Sequence, residues 1–240
     1  MIKFFRHIRK KLISENKFSK YLLYAIGEIV LVVIGILIAL QINNANEKGN
    51  RVQLEKSLLK EMKENLEVDL GDLRFNIRYD STNSRATKLV LHQLENNIPY
   101  HDSLAIFYGK MGSNSLLLEN TSAYENLKSL GFDLISNKAL RSKITNLYSA
   151  RYEYVDEISQ IYTGFLLSSF QPALIEHTSS ETTDYFQRRP NNYSELQNNF
   201  PFMEAMRQDL FFKKISIDLN RRTERRILEL IALIDKEIAQ

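Results

Sequence analysis

The pattern of hydrophobic positions changes after the first forty or so residues. Residues 21–42 (YLLYAIGEIVLVVIGILIALQI) contain a single charged residue, Glu28. As a helix this stretch would be about 33 Å long, enough to cross a bilayer core of about 30 Å. Beyond it, apolar residues recur every three or four positions, first from Leu54 to Ile77 and again near the C-terminus, which predicts amphipathic helices packed in a bundle.

Two other interpretations of residues 21–42 fit the sequence less well than a membrane span. A cleaved signal peptide would end in a small-x-small site, which the sequence Leu40-Gln41-Ile42-Asn43-Asn44 does not provide. A helix buried in a soluble core would need an equally hydrophobic surrounding, and no other segment is apolar enough. The pattern therefore favours an uncleaved transmembrane helix.

The charge distribution predicts how this helix is oriented. The net charge of +3 is the sum of +6 in residues 1–20 and −3 in the remainder. Since basic residues are retained on the cytoplasmic side, we expect residues 1–20 to lie in the cytoplasm. Residues 21–42 would span the membrane and residues 43–240 would form an exported domain. The basic segment is either an interfacial helix on membrane lipids or an unstructured topology signal.

Glu28 is costly inside a membrane unless it is paired, protonated or able to reach water. At 100° per residue it shares one helix face with small and polar positions that would allow close helix packing. This face predicts self-association, and its residues are Tyr24, Glu28, Val32, Gly35 and Ala39. Two alternatives stay open for Glu28, namely a carboxylate that reaches the inner surface with no role, and a proton, ion or charge-pairing element facing another membrane protein.

The predicted fold class is all-α, with one N-terminal transmembrane helix followed by an exported bundle of long helices. A helix from residue 43 to about residue 97 is expected to break weakly at Asp80–Ser84. A short helix over 121–130 should end at Gly131, and Ser136 or Asn137 should cap a helix that ends near Pro172. Residues 98–120 are predicted to be a loop, residues 176–201 a mobile loop, and residues 202–239 the last helix.

The sequence contains no motif that indicates catalysis. The chain has no cysteine and only four histidines, and it has neither a phosphate-binding loop nor a zinc-protease motif. We expect no catalytic residue, no metal and no cofactor, and no nucleic-acid partner for an exported domain. His92 with Glu95 is predicted to be a surface contact, and the arginines at positions 221, 222, 225 and 226 a salt-bridged helix face, because Glu224 and Glu229 lie among them.

Residues 3–44 resemble an uncharacterised family of single-span proteins common in Bacteroidetes-type bacteria. The resemblance rests on the Gly-Glu-Ile span with its Gln-x-Asn-Asn exit, Gly27 to Asn44, and on two later segments, Tyr124–Gly131 and Asn137–Arg141. Ala45 departs from the aromatic residue usual in that family at the outer interface. The resemblance implies a bacterial inner-membrane address, a periplasmic helical domain over residues 43–240, and no catalytic residues. It also suggests two O-glycosylation sequons, Asp80-Ser81-Thr82 and Asp102-Ser103-Leu104, with Ser81 and Ser103 as acceptors in predicted breaks.

Three functions are compatible with these patterns. The first is a non-enzymatic, self-associating membrane protein that presents its helical domain as a scaffold or accessory subunit, with another membrane protein as a candidate partner. The second is a channel-like or proton-coupled homo-oligomer that uses Glu28. The third is a periplasmic binding or sensing module, which the short cytoplasmic segment disfavours because it carries no output domain.

Overall fold

The structure is a computed structural model that describes residues 18–180 and 186–239. The chain divides into two compact units, one ending at Leu54 and the other comprising Glu55–Gln240. Most of the basic segment predicted over residues 1–20 lies outside the described residues. The unit that begins at Glu55 is a helical bundle, and the described residues of the preceding unit form helix only.

One long helix, α1, runs from Phe18 to Glu95. The break predicted at Asp80–Ser84 is therefore wrong. Two of the polar side chains that suggest a break are buried and bonded to another segment: the Oδ2 of Asp80 accepts a hydrogen bond from the Ser115 hydroxyl at 2.8 Å, and the Asn83 amide donates to Ser113 at 3.0 Å. Their hydrogen bonds are made across the bundle, so they do not compete with the helical backbone.

The other elements are short except for the last helix. The helices are α2 (Ala105–Gly109), α3 (Ser122–Leu130), α4 (Lys138–Asn146), α5 (Glu153–Phe165), α6 (Gln171–His177), α7 (Tyr193–Leu196) and α8 (Phe200–Ile238). Within 176–201, the predicted loop, a two-stranded antiparallel ladder pairs β1 (Thr178–Ser179) with β2 (Arg189–Pro190). Short 3₁₀ turns lie at Asp102–Leu104 and Phe132–Leu134. The all-α prediction is confirmed, since these four strand residues are the only sheet in the described part of the chain.

Both predicted helix termini around residue 131 are confirmed. Gly131 follows α3 with φ of 97°, a backbone conformation that suits glycine, and its N–H donates to the carbonyl of Leu127. Asn137 caps α4, because its Oδ1 accepts the N–H groups of Ala139 and Leu140 at 3.0 and 3.2 Å. The other predicted cap, Ser136, instead donates to Glu55 through both its N–H and its hydroxyl.

Pro172 does not end its helix, contrary to prediction. Helical backbone continues from α4 to His177 through two π-helical segments, Leu147–Tyr152 and Leu166–Phe170. Proline in a regular α-helix clashes with the carbonyl four residues earlier. The wider turn at Leu166–Phe170 ends two residues before Pro172, which lies in the first turn of α6, and this placement accommodates the ring.

The bundle has two apolar clusters, and the long helices pass through both. One cluster is built on residues 58–73 of α1 and 227–234 of α8, and the other on residues 90–94 of α1 and 202–206 of α8. The predicted stripe of α1 is largely confirmed, since Leu58, Met62, Leu66, Leu70 and Leu73 are buried, while Leu54 is exposed. Between the clusters lies a buried polar layer, which consists of Asn76, Asp80, Asn83, Ser84 and Thr87 of α1 and Asp209, Lys213, Asn220 and Thr223 of α8.

Candidate functional site

The first part of α1 exposes an apolar surface whose contact with water is energetically unfavourable. Fourteen Leu, Ile and Val side chains between Leu22 and Ile42 are each at least 46% exposed. An 18-residue window in this helix has a mean hydropathy of 2.7 and none of it is buried. By length and composition, α1 is therefore the one helix among the described residues that is able to cross a membrane.

The predicted interface residues lie on this helix. Val32 is 57% exposed, and a Cβ added at Gly35 would meet nothing within 4 Å. Tyr24 and Glu28 are half-buried, and Ala39 is exposed. Because the helix is unbroken from Phe18 to Glu95, the spacing of 4, 3 and 4 residues from Glu28 to Ala39 keeps these positions on one face.

A buried ion pair lies in the polar layer of the bundle. Asp209 and Lys213, one turn apart on α8, are both 0% exposed, and the Lys213 ammonium lies 2.7 and 2.8 Å from the two carboxylate oxygens. The hydroxyl of Tyr162 donates to Asp209 at 2.6 Å, and the hydroxyl of Thr87 donates to it at 3.1 Å. Each oxygen of this carboxylate is thus bonded, which is the condition for holding a charge pair in a low-dielectric interior.

A second aspartate–tyrosine pair joins Asp69 of α1 to Tyr152, which lies ten residues before Tyr162 in the chain. The hydroxyl of Tyr152 donates to Asp69 at 2.6 Å, and the backbone N–H of Asn120 donates to its other oxygen at 2.9 Å. Burial raises the pKa of Asp69 to about 6, although both hydrogen bonds oppose this rise. Burial also raises the pKa of Tyr152 and of Tyr162, each further raised by its aspartate partner, so both phenols remain donors.

Asp80 is the least satisfied carboxylate of the polar layer. Ser115 donates to one oxygen, and the other, Oδ1, has no hydrogen-bond partner among the described residues. Burial raises the pKa of Asp80 to about 6, opposed by Ser115 and by the nearby charge of Lys213. The described side chains contain no group of three or more His, Cys, Asp or Glu residues placed to hold a metal ion. Because its residues are buried inside the bundle, the polar layer can hold charge and fix the register of the helices rather than contact a substrate.

The arginines of α8 differ from the predicted salt-bridged face. Glu224 bonds Arg74 of α1 at 2.7 Å, and Glu229 lies 3.7 Å from Lys143 of α4, so both acids are engaged outside the cluster. Arg222 pairs with Asp218 at 2.6 Å. No ion pair within the described residues involves Arg221 or Arg225. The cluster is a positively charged surface, and the expectation of internal neutralisation is wrong for these two arginines.

Comparison with protein families finds a model that matches residues 28–189, described as a family of unknown function, DUF6090. The match covers about two thirds of the chain, from Glu28 in the apolar helix to the second strand. The chain belongs to the DUF6090 family. Neither the curated proteins nor the solved structures contain a match to it.

The predicted resemblance to an uncharacterised family is confirmed at this level, and the membrane topology and bacterial range that it implied stay predictions. The DUF6090 match contains both members of the Asp69–Tyr152 pair, whereas of the residues around Asp209 it contains only Tyr162 and Thr87, because it ends before α8. Asp209, Lys213 and the arginine surface therefore lie in the part of this DUF6090 protein that the family model does not describe.

The remaining residues singled out in the sequence lie at separate places in the structure. His92 and Glu95 are both exposed, as expected, but each has another partner: Glu95 pairs with Arg207 at 2.7 Å, and the His92 ring bonds Asn96. Ser81 is half-buried within α1, which removes the predicted break that supported it as a glycosylation acceptor. Ser103 is exposed in a 3₁₀ turn, with its hydroxyl 2.9 Å from the His101 ring. Modification of either serine stays a prediction.

Sequence reasoning missed the buried polar layer of this DUF6090 member. The available signal was local: Asp209 and Lys213 are spaced i, i+4 among apolar residues, a spacing that permits an ion pair on a helix. Nothing local identified Tyr162 or Thr87 as partners, because they lie 47 and 122 residues away in sequence.

Proposed function

We propose that this DUF6090 protein is a non-enzymatic, self-associating, single-span protein of the bacterial inner membrane, whose periplasmic helical domain is a scaffold or accessory subunit. The observation that carries the proposal is the exposed apolar surface between Leu22 and Ile42. Placing fourteen such side chains in hydrocarbon rather than water is favourable by on the order of 20 kcal/mol. A bundle with its own buried clusters follows on the same chain.

The orientation rests on charge. Residues 1–20 carry +6, and the stretch that follows the apolar segment mixes acids and bases. Retention of basic residues in the cytoplasm then leaves the bundle on the periplasmic side. Self-association rests on the face that contains Glu28, Gly35 and Ala39, since small residues let helices approach and a carboxyl group in hydrocarbon gains from a polar partner.

The absence of cysteine in the chain makes a labelling test of topology direct. Ser14→Cys places one thiol in the basic segment, and Ser194→Cys places one on an exposed position of α7. We expect a membrane-impermeant maleimide to label the Ser194 variant in cells with a permeabilised outer membrane, and the Ser14 variant only after lysis. The reverse pattern, or release of the protein in soluble form, overturns the proposal.

Self-association is tested by the native mass of the full chain in detergent. Gly35→Leu combined with Ala39→Leu should convert the oligomer to monomer, because bulky side chains separate the helices. Gly27→Leu is the matched control, because its Cβ position is equally open but lies about 100° around the helix from Glu28. A monomeric wild type contradicts the proposal. Loss of a pH-dependent current in Glu28→Gln with the oligomer intact would replace the scaffold with the proton-coupled alternative.

A further inference from the structure

A groove of about 550 Å³ runs between α1 and α8. Four basic side chains line it, Arg85 and Lys88 from α1 and Lys214 and Arg221 from α8, and all four are exposed. The one acidic residue in its lining is Asp218, and that carboxylate already lies 2.6 Å from Arg222. No ion pair among the described residues neutralises any of the four cations.

The positive charge continues along α8 into a second cleft. This cleft, of about 820 Å³, lies between α4 and α8, and Asp218 lines both cavities. Arg225 and Arg226 line it, and Arg226 donates to a neutral partner, the side-chain oxygen of Asn146, at 2.9 Å. From Lys214 to Arg226 the basic surface therefore extends about 18 Å along one helix.

A neighbouring side chain responds to this charge. Burial lowers the pKa of Arg151, and the positive charges of Arg226 and Arg222 lower it further. Arg151 is half-buried behind the cluster, where it donates to Thr223 and to the carbonyl of Leu219. The cations of α8 thus produce a local positive potential of the kind that attracts anions.

The groove between α1 and α8 is also apolar in part. Phe211 is 59% exposed at its edge, and Ile215 and Ile217 line it as half-buried residues. A polymer of phosphate or sulfate groups would use the cations and leave these side chains in water. A peptide with both acidic and apolar residues would use both, and arginine with aromatic residues is the composition enriched where proteins bind proteins.

We propose that this groove binds an extended acidic segment of a partner protein. Carboxylates of the segment pair with Arg85, Lys88, Lys214 and Arg221, and one of its apolar side chains covers Phe211. In an extended peptide every second side chain points to the same face, about 7 Å apart, so successive carboxylates can follow the cations along the groove. The inference deepens the accessory role proposed above and rests on it for its biological meaning, while the binding is measured independently of membrane insertion.

The test uses the full chain in nanodiscs of zwitterionic lipid and fluorescence anisotropy of a labelled peptide with four repeats of Asp-Leu-Glu. We expect the wild-type chain to bind this peptide. Lys214→Glu combined with Arg221→Glu should weaken the affinity at least about tenfold. High salt should weaken it similarly, because exposed charges are screened. Arg221→Lys should retain binding. Phe211→Ala should weaken the Asp-Leu-Glu peptide about threefold without changing the affinity for a peptide of aspartate and glutamate alone.

Matched controls separate a site from general electrostatics. Lys60→Glu combined with Lys138→Glu changes the net charge equally, at exposed lysines outside the groove, and should change affinity less than about twofold. Equal losses in the two double variants overturn the proposal. Binding of a sulfated oligosaccharide or of phosphatidylglycerol vesicles with no binding of the peptide overturns it in favour of a glycan or lipid site. Failure of the maleimide topology test, with peptide binding intact, would reject the membrane assignment alone.

Discussion

Replacing Asp80 with asparagine should stabilise this protein selectively at neutral pH. The carboxyl group of Asp80 is fully buried, accepts hydrogen bonds only from Ser115, and leaves its Oδ1 without a partner among the described residues. Its pKa is about 6 in the folded chain, against an ordinary value of 3.8. The folded chain therefore binds this proton more tightly than the unfolded chain does.

The sign and size of the effect follow from that difference. The free energy of unfolding falls as pH rises through the window from about 3.8 to about 6, because the unfolded chain loses the proton first. Between pH 5 and pH 7.5 this one group lowers the stability by about 1.4 kcal/mol. The amide of Asp80→Asn does not titrate, so the variant should gain about 1.4 kcal/mol relative to wild type over the same interval.

Asp69 provides a matched comparison with the same pKa of about 6. Both of its oxygens accept hydrogen bonds, from Tyr152 and from Asn120. In Asp69→Asn the amide NH₂ group faces one of these donors and cannot accept from it. This variant should therefore be less stable than Asp80→Asn at both pH values, by about 1–3 kcal/mol.

The assay is urea unfolding of the detergent-solubilised full chain at pH 5 and pH 7.5, followed by far-UV circular dichroism. The change in the free energy of unfolding between the two pH values is compared between wild type and variant, so the contributions of the other titrating groups cancel. A stability change in Asp80→Asn that is the same at both pH values would refute the assignment of a raised pKa to this carboxyl group. Equal stabilities of the two variants would refute the role assigned to the Asp69 hydrogen bonds.

Two further substitutions test the packing of the bundle. Lys213→Met should lower the free energy of unfolding by about 3–5 kcal/mol, because it leaves Asp209 charged and buried without its ammonium partner. Urea unfolding measures this loss, and Lys213→Met combined with Asp209→Asn should recover part of it. Gly109→Ala should cost about 1–3 kcal/mol, because a Cβ there would lie 2.0 Å from the backbone oxygen of Phe186. Faster hydrogen exchange at Arg188, whose N–H donates to Ala105, would report the displacement, and exchange unchanged from wild type would contradict it.

The sequence alone was sufficient wherever the signal was local and repeated. Leu58, Met62, Leu66 and Leu73 were predicted to face the core from their spacing, and they do, because the pitch of the helix places them on one side. Gly131 and Asn137 were predicted as helix ends because a cap needs only the residue and its immediate neighbours. The apolar helix was predicted from composition, since hydrophobicity does not depend on long-range contacts.

Tertiary structure decided the polar residues, because a polar side chain can be satisfied by any segment that folding brings to it. The break expected at Asp80–Ser84 does not exist because Asp80 and Asn83 bond a loop 35 and 30 residues away, respectively, rather than their own backbone. Glu224 was expected to neutralise neighbouring arginines, yet it bonds Arg74, 150 residues distant. Pairing at that range is set by how the helices pack, and it is what leaves Arg221 without an ion pair in the described chain and creates the basic groove.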